Sequence, residues 1–171
     1  MSFYPSSIPP HSLSAIPSDS VGATRATLKL MVKFSRQYKT DVGVLTVAQN
    51  LVRNVREKDY GGEVRELYDF VKRSIRYLRD VNGVETVSTP PRVLQQGQGD
   101  CDDKSTLLAT LLESIGHPAR FVALGFKGGE FSHVIVETRL GSTWVPLDAT
   151  VSYAFVGWYP PEVTRRMEAH I

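Results

Sequence analysis

The chain has 171 residues and a mass of 19.0 kDa, the size of one domain, and its 20 Lys+Arg against 18 Asp+Glu leave a net charge of +2. So balanced a charge supplies no global field for nucleic acid or an anionic membrane, and no run reaches the ~18 apolar residues that a spanning helix needs. The single cysteine, Cys101, excludes an intrachain disulfide and any multi-cysteine metal cage.

Residues 1–20 hold four prolines and seven serines with few large apolar groups, a composition that buries too little surface to offset the entropy of ordering. An extended arm over residues 1–22 is expected, with a single domain over 23–171 and the arm free to make protein assembly contacts. It lacks the charged start and apolar middle of a secretory signal, which points to the cytoplasm. From Arg25 to Tyr38 two periods compete. Ala26, Leu28, Leu30, Val32 and Phe34 alternate as in a strand, whereas Arg25, Lys29, Lys33 and Arg36 fall within an arc of about 80° on a helix. The helical reading is preferred, with the basic stripe a solvated face or a surface for an acidic partner. Asp41 to Arg56 repeats apolar residues at three- and four-residue steps and is predicted to be a second helix, broken by Tyr60-Gly61-Gly62. Glu63 to Arg79 is predicted as a third, with Arg73, Arg76 and Arg79 near its end and Asn82-Gly83 as a turn. Val84 to Gly99 is expected to be irregular, marked by Pro90-Pro91 and Gly97-Gln98-Gly99.

The second half changes character. Asp100 to Ile115 carries a helical leucine pattern ended by Gly116 and Pro118. Three β-like runs follow, Ala119 to Phe126, Ser132 to Leu140 and Thr143 to Asp148, divided by Gly128-Gly129 and Gly141-Ser142. Helices first and an antiparallel sheet second make an α+β domain, with a central helix packed on a small sheet.

Cys101 falls in the first turn of the helix after Gly97-Gln98-Gly99-Asp100. Asp100 and Asp103 have the spacing of an N-cap and its reciprocating partner, which explains them better than an oxygen cage for a metal. A helix N-terminus favours a thiolate, but the carboxylates of Asp100, Asp102 and Asp103 oppose it, so a base is needed. If the turn after Leu140 has two residues, His133 and Asp148 share a face of the hairpin, opposite or one step diagonal. Nδ1–H would then donate to Asp148 and leave Nε2 for the thiol proton. Nucleophile, base and orienter in that order form the logic of covalent acyl transfer.

Gly99-Asp100-Cys101, Gly116-His117-Pro118-Ala119-Arg120, His133 with Glu137, and Trp144 to Asp148-Ala149-Thr150 resemble the motifs of the transglutaminase-like superfamily of papain-type thiol enzymes. The resemblance covers about residues 63–150, and the lead-in with Gly-Asp-Cys-Asp-Asp-Lys is similar to compact members carried by bacteria and their phages. It implies Cys101 as nucleophile, His133 as general base and acid, and Asp148 as the orienting carboxylate, with no cofactor and no metal. Ile135 and Ala149 depart from the family's aromatic and Pro at those places, which alters the substrate walls and leaves the triad intact. The Cys101 backbone N–H is one expected oxyanion donor, with Gln95, Gln96, Gln98 or an aromatic ring as the second. His11, His117 and His170 match no pattern and are taken as surface or loop residues.

The expected function is therefore attack on an amide or isopeptide carbonyl of a peptide or protein through a thioester, as protease, amidase or transglutaminase, with hydrolysis slightly favoured. The alternative is a phage virion or assembly protein that uses the papain-like domain as a scaffold with a vestigial or single-use triad. Both place the chain in a bacterial host's cytoplasm, the second also in a particle.

Overall fold

In a computed structural model, which describes residues 20–79 and 87–171, the competing periods of the first segment resolve into a helix, α1 (Ser20–Tyr38). Leu28, Met31, Phe34 and Ser35 are buried at three- and four-residue steps, so packing selects the helical period over the alternating one. The helix begins at Ser20 and takes in residues 20–22 of the expected arm; the remainder of the arm, His11 and the Asn82-Gly83 turn lie outside the described residues. Helix α2 (Val42–Val52) starts where Asp41 accepts from the Val44 N–H at 3.1 Å. Helix α3 (Tyr60–Ser74) starts on Asp59, which accepts from the Gly62 N–H at 2.9 Å, so Tyr60-Gly61-Gly62 opens the third helix as well as separating it from the second.

Two expectations for the middle of the chain are corrected. The third helix stops at Ser74, because β-branched Ile75 is extended and Arg76–Tyr77 forms a short strand β1 instead of a last helical turn. Residues 90–96, expected to be irregular, form helix α4 (Pro90–Gln96): the prolines occupy its first turn, where a missing N–H costs nothing, and Gly97 ends it at φ 64°. Strand β2 (Gln98–Gly99) then pairs in parallel with β1, placing Arg76 beside Gln98 and Tyr77 beside Gly99.

Helix α5 (Cys101–Ser114) is the centre of the molecule. Every residue from Asp103 to Leu112 is buried, with α1 to α4 packed around it and the sheet beneath. The antiparallel sheet runs in the order β5-β4-β3-β6, from β3 (Ala119–Phe126), β4 (Phe131–Leu140), β5 (Thr143–Leu147) and β6 (Val163–His170). Helices followed by a small antiparallel sheet make the α+β architecture expected. Strand β6 lies beyond the three β-like runs expected, and Val163, Arg165, Met167 and Ala169 alternate as the half-buried face of this edge strand. Phe121, Ala123, Val134, Val136 and Leu147 belong to the main core with α5, while Val122, Leu124 and Ile135 form a smaller apolar cluster. No helix among the described residues is long and apolar enough to cross a membrane.

Candidate active site

The site is assembled at the N-terminus of α5. Asp100 caps that helix, its Oδ1 accepting from the N–H groups of Asp102 at 2.9 Å and Asp103 at 3.0 Å. Asp103 Oδ1 accepts from the Ser88 N–H at 2.7 Å, tying the preceding segment to the first turn. Gly99 is required by this packing: a Cβ there would stand 2.5 Å from Asp103 Cβ. The parallel β1–β2 pair holds the same loop from the other side, with the Arg76 N–H donating to Gly97 O at 2.8 Å and the Leu78 N–H to Gly99 O at 3.0 Å.

Cys101, half-buried, is therefore presented by a helix start fixed on both flanks. Its thiol donates to Asp102 Oδ1 at 3.6 Å and receives the Val134 backbone N–H, one residue along from His133. Burial pushes the thiol well above its ordinary value, the carboxylates of Asp102 and Asp100 push it further, and the Val134 N–H opposes them. Together these favour the neutral thiol over the thiolate.

The hairpin places His133 against Asp148. Leu140 pairs with Thr143 across the two-residue turn Gly141-Ser142, and Val136 pairs with Leu147. Continuing that register by one residue sets Asp148 opposite Ile135, so His133 is one step diagonal, as the parity argument requires. His133 Nε2 and Asp148 Oδ2 are 2.8 Å apart. The expected ring orientation is corrected: Nε2, not Nδ1, faces the carboxylate, which leaves Nδ1 as the ring nitrogen not engaged by Asp148.

Asp148 is held rigidly. Its side chain is 0% exposed, and Oδ1 accepts from Thr150 N–H at 2.9 Å, Thr150 O–H at 2.6 Å and Val151 N–H at 3.3 Å. Tyr68 O–H donates to the Asp148 backbone oxygen at 2.9 Å. Burial alone would raise this carboxyl, but the bonds and charge from His133, with those from Thr150, hold it below the usual carboxylate range. An ionised Asp148 accepts the His133 Nε2–H and so selects the tautomer protonated at that nitrogen.

The other motif residues have structural work. Arg120 pairs with Glu137 at 2.7 Å and Glu168 at 2.6 Å and lies 4.3 Å over the Trp144 ring, bridging all four strands of the sheet. His117 lies in the loop between α5 and β3, as expected of a loop residue, but is buried there instead of on the surface, with Nε2 2.7 Å from Glu63 Oε2. His170 is exposed at the end of β6, edge-on to Trp144. Of the suggested oxyanion donors, Gln98 has its side-chain oxygen engaged by Arg76 at 2.8 Å, and Gln95 and Gln96 are exposed in the last turn of α4.

Tyr77 is the neighbour that sequence reasoning missed. The β1–β2 register sets it beside Gly99, two residues before Cys101, and burial raises its phenol, with the nearby carboxylate of Asp100 adding to the push. Only the pairing of β1 with β2 brings it there, across a separation no local pattern marks. Among the described residues, no group of three or more His, Cys, Asp or Glu side chains is arranged to hold a metal ion.

The family model of the transglutaminase-like superfamily core matches residues 46–149. Among solved structures, a candidate protease from Parabacteroides distasonis is similar at TM-score 0.62 and 18% identity over 84% of this chain. A candidate cysteine protease from Cytophaga hutchinsonii is similar at TM-score 0.54 and 18% identity over 70% of this chain. Calcium-bound LapG from Legionella pneumophila is similar at TM-score 0.56 and 18% identity, over 80% of each chain. The chain spans 32% of the Parabacteroides protein and 42% of the Cytophaga protein. At such identity these likenesses speak to the fold. No curated protein matches the chain by sequence.

Proposed function

The chain belongs to the transglutaminase-like superfamily, and on that premise we propose that it is a thiol-dependent acyl-transfer enzyme acting on an amide or isopeptide carbonyl of a peptide or protein. The reading rests on one observation: a hydrogen-bonded His133–Asp148 pair at 2.8 Å whose remaining imidazole nitrogen belongs to the residue next to the N–H that contacts the Cys101 sulfur. Cys101 Sγ attacks the carbonyl carbon while its proton passes to His133 Nδ1. The resulting oxyanion takes backbone N–H donation at the start of α5, and the imidazolium is stabilised by Asp148. His133 then returns the proton to the leaving amine as the C–N bond breaks, and a thioester remains. Water or an amine, deprotonated by the same nitrogen, attacks the thioester and releases the thiol.

Hydrolysis is the favoured outcome, since a domain this small offers little surface to hold a second substrate. Incubation with a peptide mixture, read by mass spectrometry, distinguishes the outcomes: a cleaved fragment, loss of ammonia, or gain of an amine. Wild-type protein is expected to produce one of these, and Cys101→Ser and His133→Ala none. The proposal fails if the wild type changes no peptide and forms no acyl-enzyme with p-nitrophenyl acetate.

A second reading, an assembly protein of a phage particle with a vestigial triad, draws on the buried thiol that two carboxylates hold protonated. It predicts that Cys101 alkylates at the same rate in wild type and His133→Ala at every pH. The enzyme reading predicts slower acylation by activated esters in the variant.

A further inference from the structure

Away from the thiol, α1 and the outer strand β6 enclose a groove of about 840 Å³. Its apolar lining comes from Leu28 and Val32 on the helix and Met167 and Ala169 on the strand. Along one rim stand Arg25, Lys29, Lys33 and Arg36, all exposed and, among the described residues, without an anionic partner. The carboxylate on the opposite wall does not serve them, because Glu168 is bound by Arg120 at 2.6 Å and Arg166 at 2.8 Å. Among the described residues, the groove thus combines an apolar floor with a row of cations that no carboxylate neutralises, beside β6, which ends the sheet and pairs only with β3.

The spacing of that row selects the occupant. Four residues of helix rise about 6 Å, so Arg25, Lys29 and Lys33 repeat at about the interval, roughly 6.6 Å, that separates same-side residues of an extended strand. We propose that this groove binds an extended segment of a partner protein in which acidic and small apolar residues alternate. The apolar side chains settle on the floor, the carboxylates reach the α1 rim, and the backbone runs beside the edge of β6. A nucleic acid fits less well, since its phosphates would face an apolar floor and the whole chain carries only +2.

The test is fluorescence anisotropy of a labelled Val-Glu alternating octapeptide against the full chain at low salt. The Glu peptide is expected to bind at least tenfold tighter than its Val-Gln counterpart and to weaken as salt rises. Lys29→Glu with Lys33→Glu, both on the solvent side of α1, should weaken binding at least tenfold, and the milder pair Lys29→Gln with Lys33→Gln should weaken it less. Cys101→Ala should bind as the wild type does, which separates this groove from the thiol site. Equal binding of the Gln peptide, full retention by the charge-reversed chain, or equally strong competition by duplex DNA would each overturn the proposal. So would sedimentation showing that a second copy of the chain occupies this face and leaves it on charge reversal.

Discussion

Cys101 is a thiol whose surroundings oppose ionisation, and this defines what the proposed base has to do. Burial and the carboxylates of Asp102 and Asp100 outweigh the Val134 N–H, so in the proposed reaction proton loss accompanies attack and ends on His133. Asp102 is the adjustable part, because its Oδ1 accepts the thiol proton at 3.6 Å. Asp102→Asn removes a negative charge beside the sulfur; the thiol's ionisation then moves down, and iodoacetamide labelling at neutral pH rises several-fold. The same change costs about 0.5 kcal/mol of stability, since an acidic group is lost from the first turn of α5. A pH-rate profile of alkylation checks it, and an unchanged midpoint would refute the role given to Asp102. Thr150→Val tests the other end of the site. It deletes the 2.6 Å bond to Asp148 Oδ1, so the carboxyl moves up toward its ordinary range and stability falls by about 1–2 kcal/mol. Acid unfolding should begin at higher pH than in the wild type. The His133–Asp148 contact is legible in the sequence from hairpin parity alone. The imidazole's orientation is not, because it depends on which nitrogen spans a diagonal, and Tyr77 is not, because a non-local strand pair delivers it.

At the scale of elements, the loop before α5 is clamped by three independent attachments: the β1–β2 ladder, the Asp100 cap and the Asp103–Ser88 bond. Gly99 lies where they meet. In Gly99→Ala the new methyl would be 2.5 Å from Asp103 Cβ and 2.9 Å from its Oδ2, and neither is the end of a long flexible chain. The first turn of α5 must shift, with an expected loss of about 2–3 kcal/mol and a melting temperature lower by roughly 4–10 °C. Thermal denaturation measures the loss, and p-nitrophenyl acetate acylation should fall with it, because the same turn carries Cys101. A variant that keeps wild-type melting and acylation would show that the close approach has no consequence. The clamp also marks the limit of what local pattern reveals. Helix α5 and strands β3 to β5 are legible because their apolar periods are long and their ends carry Gly or Asp. Strands β1 and β2 have two residues each and exist only through each other. Helix α4 is hidden by the two prolines that begin it, and β6 by polar residues on its exposed face.

For the molecule as a whole, the buried groups of the core make stability depend on pH in opposite directions at alkaline pH. Lys104, 2% exposed, reaches from α5 to the end of α3 and donates to Ile75 O at 2.6 Å, joining the central helix to the element that leads into β1. Burial brings its ammonium down from 10.5 to about 8, with Asp148 opposing and Lys72 assisting. Between those two values the unfolded chain holds a proton that the folded chain has released, so this group makes stability rise with pH across the interval. The full difference is on the order of 3 kcal/mol. Cys101 acts the other way. Its folded thiol keeps a proton that the unfolded chain loses above about pH 9, so its contribution falls as pH rises further. The two partly cancel in the wild type, and substitution separates them. Cys101→Ala should let melting temperature climb from pH 8 to 10 relative to wild type, whereas Lys104→Met should remove the climb in that background. Lys104→Met also leaves the Ile75 carbonyl without its donor, so its melting temperature at pH 7 reports the lost cap, and only the slope with pH reports the ammonium. Parallel slopes for Cys101→Ala with and without Lys104→Met would show that the buried lysine does not titrate in this range.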